Sequence, residues 1–209
     1  ALLMSAAPGL AMAQQAPWNA KDMPVSHRDR VYASEQFSNT VSVTDPADNR
    51  LLGVIKLGDP QPMNFSPLYK GQVLVHGLGF SPDGKTLAVV SIGSNAVSWI
   101  DTATNTVKHT TYVGRRPHEA FFTPDGKQVW FTLKDIGKTV AFDARPPFAI
   151  LKVLDTGPIT NHVNFARTAK GQFAYVTVGG ENVVKVFRTS DGSVAKIVKL
   201  EHAWRRLDG

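Results

Sequence analysis

The most constraining feature of this chain is that it repeats itself. Three stretches align: VHGLGFSPDGKTLAVVS from Val75, PHEAFFTPDGKQVWFTL from Pro117 and NHVNFARTAKGQFAYVT from Asn161. Their histidines, His76, His118 and His162, are spaced 42 and 44 residues apart. Their turn glycines, Gly84, Gly126 and Gly171, are spaced 42 and 45 apart. A second block follows each stretch: SNAVSWIDTATNTV, GKTVAFDARPPFAI and ENVVKVFRTSDGSV. An earlier copy of that block, SNTVSVTDPADNRL, begins at Ser38, and the closing HAWRRLDG opens on His202, 40 residues after His162.

A period in this range means a stacked or radial array of similar units. Each unit consists of short runs rich in Val, Phe, Thr and aromatics, broken by turn residues every few positions, which is strand chemistry. Ser81-Pro82-Asp83-Gly84 shows how one turn is specified: Pro presets φ, Asp bonds nearby backbone N–H groups and Gly takes the positive-φ site. Thr123-Pro124-Asp125-Gly126 repeats it. The runs are nearly continuous in apolar residues, as in Val97-Ser98-Trp99-Ile100, which suits a sheet covered on both faces. The second unit divides into strands near 77–81, 86–91, 96–101 and 106–113. Four antiparallel strands per unit make a propeller blade, so the expected class is all-β, an incomplete β-propeller of four-stranded antiparallel blades.

Composition narrows the chemistry. Of 209 residues 43% are apolar and 19% charged, enough for one sizeable core and too apolar for a disordered tail. There is no cysteine, which excludes a disulfide scaffold, a thiolate-ligated zinc or iron–sulfur centre and c-type haem attachment. The net charge of +6 is spread along the chain with no basic stripe interleaved with aromatics, so nucleic acid is not an expected partner. No G-x-S-x-G, P-loop, helix-opening G-x-G-x-x-G or H-E-x-x-H occurs.

The combination P-H-x(4)-[ST]-P-D-G-K, then an aromatic strand, then N-x-V-x-x-[IF]-D, resembles the YVTN-type β-propeller repeat family. It reads here as GRRPHEAFFTPDGKQVWFT and SNAVSWIDTATNTV, with the Tyr-Val-Thr signature itself at Tyr175-Val176-Thr177. RVYASEQFSNTVSVTD is a further match, and the resemblance covers roughly residues 30–200. It implies an exported protein, often of seven blades. Related propellers include lactonases, the haem d1 domain of nitrite reductase and the copper-binding propeller of nitrous oxide reductase. On this reading the blades lie at 30–62, 76–117, 118–161 and 162–201, within a propeller region 30–209. Residues 63–75 are an insertion, and 202–209 are the start of another blade. The first blade begins at its second strand, and in this family that implies closure by a C-terminal strand. The chain thus reads as a truncated member whose open sheet edges invite self-association.

The opening ALLMSAAPGLAMAQQ is uncharged, and its apolar part is too short to span a bilayer. Ala11-Met12-Ala13 fits a signal-peptidase site. Residues 1–13 are therefore expected to be the remnant of a secretory signal, with 14–29 a linker and the protein periplasmic or secreted. No later segment is apolar enough to cross a membrane as a helix.

In the family arrangement the histidine opening each inner strand faces the tunnel mouth. His76, His118, His162 and His202 would then converge, as a copper, zinc or iron site requires, each neutral ring offering a lone pair. Arg115, Arg116, Glu119 and Asn161 are candidate ligand-binding residues of the same face. Glu119 is a further possible ligand and Asn161 a supporting partner. The arginines are suited to a carboxylate or phosphate. The competing reading makes the repeated histidines structural, bonding backbone carbonyls between blades. His27 and His109 fall outside the repeat and should be exposed or locally bonded. Trp99, Trp130, Phe142, Tyr175 and Phe187 should pack between blades. The function expected is that of a binding or scaffold protein presenting its tunnel face to a protein or small ligand. The alternative is a metal- or cofactor-dependent redox or hydrolytic, lactonase-like enzyme.

Overall fold

The structure, a computed structural model, describes residues 24–58 and 73–200. The expected signal remnant, most of the linker, nearly all of the insertion and His202 lie outside the described residues.

Among the described residues fifteen strands follow one another in chain order. The first sheet holds β1 (Val31–Glu35), β2 (Thr40–Asp45) and β3 (Arg50–Lys56). The second holds β4 (Val75–Phe80), β5 (Thr86–Ser91), β6 (Ala96–Asp101) and β7 (Thr106–Tyr112). The third holds β8 (Pro117–Phe122), β9 (Gln128–Leu133), β10 (Lys138–Asp143) and β11 (Ile150–Asp155). The fourth holds β12 (Thr160–Thr168), β13 (Gly171–Val178), β14 (Val183–Arg188) and β15 (Val194–Lys199). Within every sheet the strands pair antiparallel in sequence order. The chain is an incomplete β-propeller: one three-stranded and three four-stranded blades, with a single 3-10 turn at Gly179–Glu181 as the helical element among the described residues. Val75 pairs with Ser91 and therefore opens β4 rather than closing the insertion.

The turns form as their residues dictate. In the second blade the Asp83 carboxylate accepts from the Ser81 hydroxyl and the Lys85 N–H, and in the third Asp125 accepts from Thr123 and Lys127. Asp101 and Asp143 end their strands by accepting N–H groups two residues on.

The blades hold together by burying both faces of their middle strands. On β5, Leu87 and Val89 pack against Val41 and Val43 of the first sheet, while Ala88 and Val90 pack with Phe122, Val129 and Phe131 of the third. On β9, Phe131 faces the second blade and Trp130 faces Val163, Phe165 and Val176 of the fourth. Alternate residues thus serve alternate interfaces, which explains why these strands read as nearly unbroken apolar runs. Trp99 lies flat on Phe148 of the next blade, with ring centroids 3.9 Å apart and an interplanar angle of 6°. Burial of an aromatic side chain of this size contributes on the order of 2–3 kcal/mol.

Tyr175 departs from expectation. It occupies the position on β13 that Trp130 occupies on β9, yet it is 38% exposed. The expectation that it packs between blades fails because, among the described residues, no blade covers the far face of β13.

Close to the axis the packing is tighter still. A Cβ built on Gly79 would sit 2.0 Å from the Ala120 carbonyl oxygen, and one on Gly77 2.2 Å from the His118 carbonyl oxygen. Strands β4 and β8 therefore meet almost backbone to backbone, and only glycine permits it. Gly79→Ala is expected to cost about 1–3 kcal/mol, because rigid backbone has to yield. Gly53→Ala, on the outer strand β3 with nothing within 4 Å, should stay within about 0.5 kcal/mol of the parent. Urea unfolding midpoints of the two variants make the comparison, and equal midpoints would refute the close packing.

Candidate functional site

Each inner strand carries an irregularity at its start. Val75 pairs with Ser91 but Leu78 with Val89, so His76 and Gly77 together oppose one residue of β5. Pro117 pairs with Leu133 and Ala120 with Phe131, leaving His118 and Glu119. Thr160 pairs with Val178 and Val163 with Val176, leaving Asn161 and His162. These are β-bulges, which bend a strand and re-aim its side chains.

The bulges also set the true register. The equivalent positions are His76, His118 and Asn161 for the first bulged residue, and Gly77, Glu119 and His162 for the second. His162 is therefore the counterpart of Glu119, not of His118. The alignment by histidine slips one residue at the fourth blade. Phe80, Phe122 and Phe165, spaced 42 and 43 apart, keep the correct step. Alignment on those phenylalanines would have found it.

The residue before each inner strand is aimed by a strained rim. Leu74, Arg116 and Ile159 all have positive φ, of 51°, 53° and 55°. Such values are uncommon for side chains of this kind and persist only where the surroundings hold them. The N–H of Leu74 donates to the Asn39 carbonyl oxygen Oδ1 at 2.9 Å, and that of Arg116 to Asn95 Oδ1 at 3.0 Å. Asn39 and Asn95 are themselves left-handed, with φ of 58° and 57°, and each reaches from the preceding blade. The first and second blades thereby each fix the start of the next one, while the third carries Gly137 at the equivalent position.

Three rings meet as a result. His76 and His118 contact edge to face with centroids 4.9 Å apart, and His118 and His162 do so at 5.1 Å. His162 Nε2 lies 3.7 Å from Glu119 Oε2, an ion-pair distance that joins the third and fourth blades. One ligand atom from each of His118, Glu119 and His162 falls within 4.8 Å of the others. The Nδ1 atom of His118 is buried and has no hydrogen-bond partner, and so is Asn161 Oδ1. Among the described residues, no ring of His76, His118 or His162 bonds a backbone carbonyl, the arrangement a purely structural role would use. The Asn161 carbonyl accepts from Thr132 and the His162 N–H donates to Thr177, so these backbone groups of the β12 bulge are satisfied while the Asn161 side-chain oxygen is not.

Burial pushes the His118 imidazole down to about 4, with the His76 and His162 rings and the Lys134 and Arg116 cations adding to the effect. The ring is thus a neutral donor of a lone pair through the whole neutral range.

The other expected residues separate. Arg116 pairs with Asp135 at 3.0 Å and stands at the rim two positions before His118, whereas Arg115 is exposed and touches no partner among the described residues. His27 is exposed and bonded to Asp45 at 2.9 Å, and His109 stacks on Phe148. Lys134, whose N–H donates to the Arg116 carbonyl, belongs to the rim too. Nothing in the repeat pattern marks it, because the corresponding position in the second blade is Ile92.

Solved structures share this fold. Hydrazine synthase from Kuenenia stuttgartiensis superposes with a TM-score of 0.61 at 16% identity, over 89% of this chain and 52% of that one. A catalytically inactive virginiamycin B lyase from Staphylococcus aureus, solved with quinupristin, gives 0.63 at 14% identity, over 86% and 55%. A functionally unknown protein from Desulfotomaculum acetoxidans gives 0.66 at 10% identity, over 86% and 56%. The likeness is one of β-propeller fold, and this chain spans just over half the length of those it matches. No protein-family model and no curated protein matches the sequence.

The depressed His118 couples stability to pH. Its ordinary value is 6.5 and its folded value about 4, so between these the unfolded chain takes up a proton that the folded chain refuses. Stability is therefore complete above 6.5, is lost as pH falls through that window, and levels off below about 4. The loss should be about 1 kcal/mol, once the half-exposed ring's access to water is allowed for. His118→Asn, which installs the residue of the equivalent fourth-blade position, should flatten the fall by that amount in thermal melts from pH 7 to 4. Parallel curves would show that His118 does not carry it.

Proposed function

We propose that this protein is a metal-binding β-propeller module. A divalent transition-metal ion would be held on the tunnel face by His118, Glu119 and His162, with small ligands recruited beside it. The observation that carries this reading is the gathering of one ligand atom each from His118, Glu119 and His162 within 4.8 Å, on a His118 ring whose Nδ1 is buried without a partner. A buried polar atom without a partner costs roughly 1–3 kcal/mol, and a metal bond removes that penalty. Metal–nitrogen and metal–oxygen bonds of about 2.0–2.2 Å bring ligand atoms closer together than 4.8 Å. Glu119 and His162 can close the difference by side-chain rotation, since they are 32% and 50% exposed.

Two imidazoles and one carboxylate suit zinc, iron(II) or copper(II), and three protein ligands leave positions for an exogenous molecule. Such a metal supplies Lewis acidity. Within the chain, His118 supplies a neutral ring without first losing a proton. Glu119 offsets part of the metal's charge, and Thr177 holds the bulge that aims His162. His76 abuts His118 but stands outside the ligand set. On this proposal the metal would sit between the third and fourth blades, on residues of both. Export to the periplasm or beyond is part of this proposal and rests on Ala11-Met12-Ala13. The amino terminus of protein recovered from that compartment tests it.

Metal content of the chain, purified without chelators or affinity metals and then dialysed against zinc, decides the reading. About one ion per chain is expected. His118→Ala and Glu119→Gln should weaken binding by more than the roughly 10–100-fold lost when only a ligand's hydrogen-bond partner is removed. His76→Ala should leave the stoichiometry unchanged. No bound metal, or binding indifferent to both ligand changes, overturns the proposal.

A further inference from the structure

A second feature lies at the same end of the blades and does not include the three metal-ligand candidates. A cleft of about 890 Å³ opens between the third and fourth blades, where β8 and β12 begin. Its walls come from the β9–β10 turn, the loop entering β12 and the turn after β13. The volume falls within the roughly 300–1,000 Å³ of small-molecule sites.

The charges in and around it are matched except for one. Arg116 pairs with Asp135 at 3.0 Å, Lys185 with Glu181 at 2.8 Å, and Asp155 with Lys138. Lys134 also lines the cleft, is half-buried, and its ammonium has no partner among the described residues. An incoming cation would share carboxylates that already have a cation beside them, whereas an incoming anion meets an ammonium with no partner among the described residues, already partly removed from water. The walls also carry exposed apolar surface: Ile136 and Ile159 are 46% and 47% exposed, and Pro158 lies beside them. A bare inorganic ion would leave that surface and most of the volume unused.

We propose that this cleft binds a small organic anion, a carboxylate with an apolar body, its charge held by Lys134 and its body laid against Ile136 and Ile159. The site stands without the metal. Where the metal reading also holds, the ligand's head lies on the side of the cleft where Lys134 bonds the Arg116 backbone, two residues before His118.

The test is a titration of the full metal-free chain with hexanoate, acetate and hexan-1-ol, followed by amide NMR shifts. Hexanoate should move the amides of Ile136, Gly137 and Gly157 saturably. Acetate, which lacks the body, and hexanol, which lacks the charge, should each bind about tenfold more weakly. Lys134→Gln removes an ammonium with no partner among the described residues and so spares the fold. It should lower hexanoate affinity to the hexanol level and leave hexanol unchanged. Ile159→Asn places at a left-handed position a residue that tolerates it, and should lower hexanoate affinity toward that of acetate. Absence of saturable shifts at the cleft, shifts confined to the uncovered face around Tyr175, or equal hexanoate affinity in Lys134→Gln overturns the proposal. Because no metal is present, none of these results depends on the metal site.

Discussion

Everything on the tunnel face depends on how closely the inner strands can approach each other. Strands β4 and β8 lie so near that Gly77 and Gly79 have no room for a β-carbon. That contact puts the His76 ring against His118. It takes His118 partly out of water and leaves its Nδ1 without a partner. The large interblade layers, such as Trp99 on Phe148 and Trp130 among Val163, Phe165 and Val176, hold the blades at the spacing that makes this approach possible. A loss of packing far from the axis would therefore be felt as a loss of geometry at the rings.

The fold was legible in the sequence because a repeat of this length, with Pro-Asp-Gly turns and both-face apolar strands, has few solutions. Middle strands such as 86–91 and 96–101 stand where their composition puts them. The site was legible only in part. His118, Glu119 and His162 were all marked, but the logic offered was a ring of equivalent histidines. A β-bulge leaves no compositional trace, since it is a difference in count between two paired strands. An alignment on histidine therefore hides that His162 stands at the second bulged position and His118 at the first. Tyr175 departs from its expected burial for a related reason. Its position in the repeat is that of a buried Trp, and whether such a position is buried depends on a neighbouring blade rather than on the residue. Lys134 carries no signal in the sequence, because its significance lies in lacking, among the described residues, a partner that three neighbouring cations have.

The electrostatics of this end of the molecule run in one direction. Desolvation and two cations together oppose protonation of His118. A group held neutral in a positive field is a poor proton acceptor and a good metal ligand, provided that negative charge is also at hand. Glu119 supplies one such charge. An anion at Lys134 would supply another, and a bound divalent ion would deepen the attraction for it. The two proposed sites are physically independent, yet their charges favour joint occupancy.

Duplication explains why the site is asymmetric. The repeat gives each blade the same bulge and the same two side-chain positions, but packing does not leave each blade the same freedom. In the second blade the second position must be Gly77, because the third blade's backbone occupies the space where a side chain would go. That blade can offer an imidazole at the first position and nothing at the second. The third blade carries residues at both, His118 and Glu119, and the fourth carries Asn161 and His162. The proposed ligands gather where consecutive blades both retain side chains at the second position. Among the described residues that place is the junction of the third and fourth blades, where the cleft also opens.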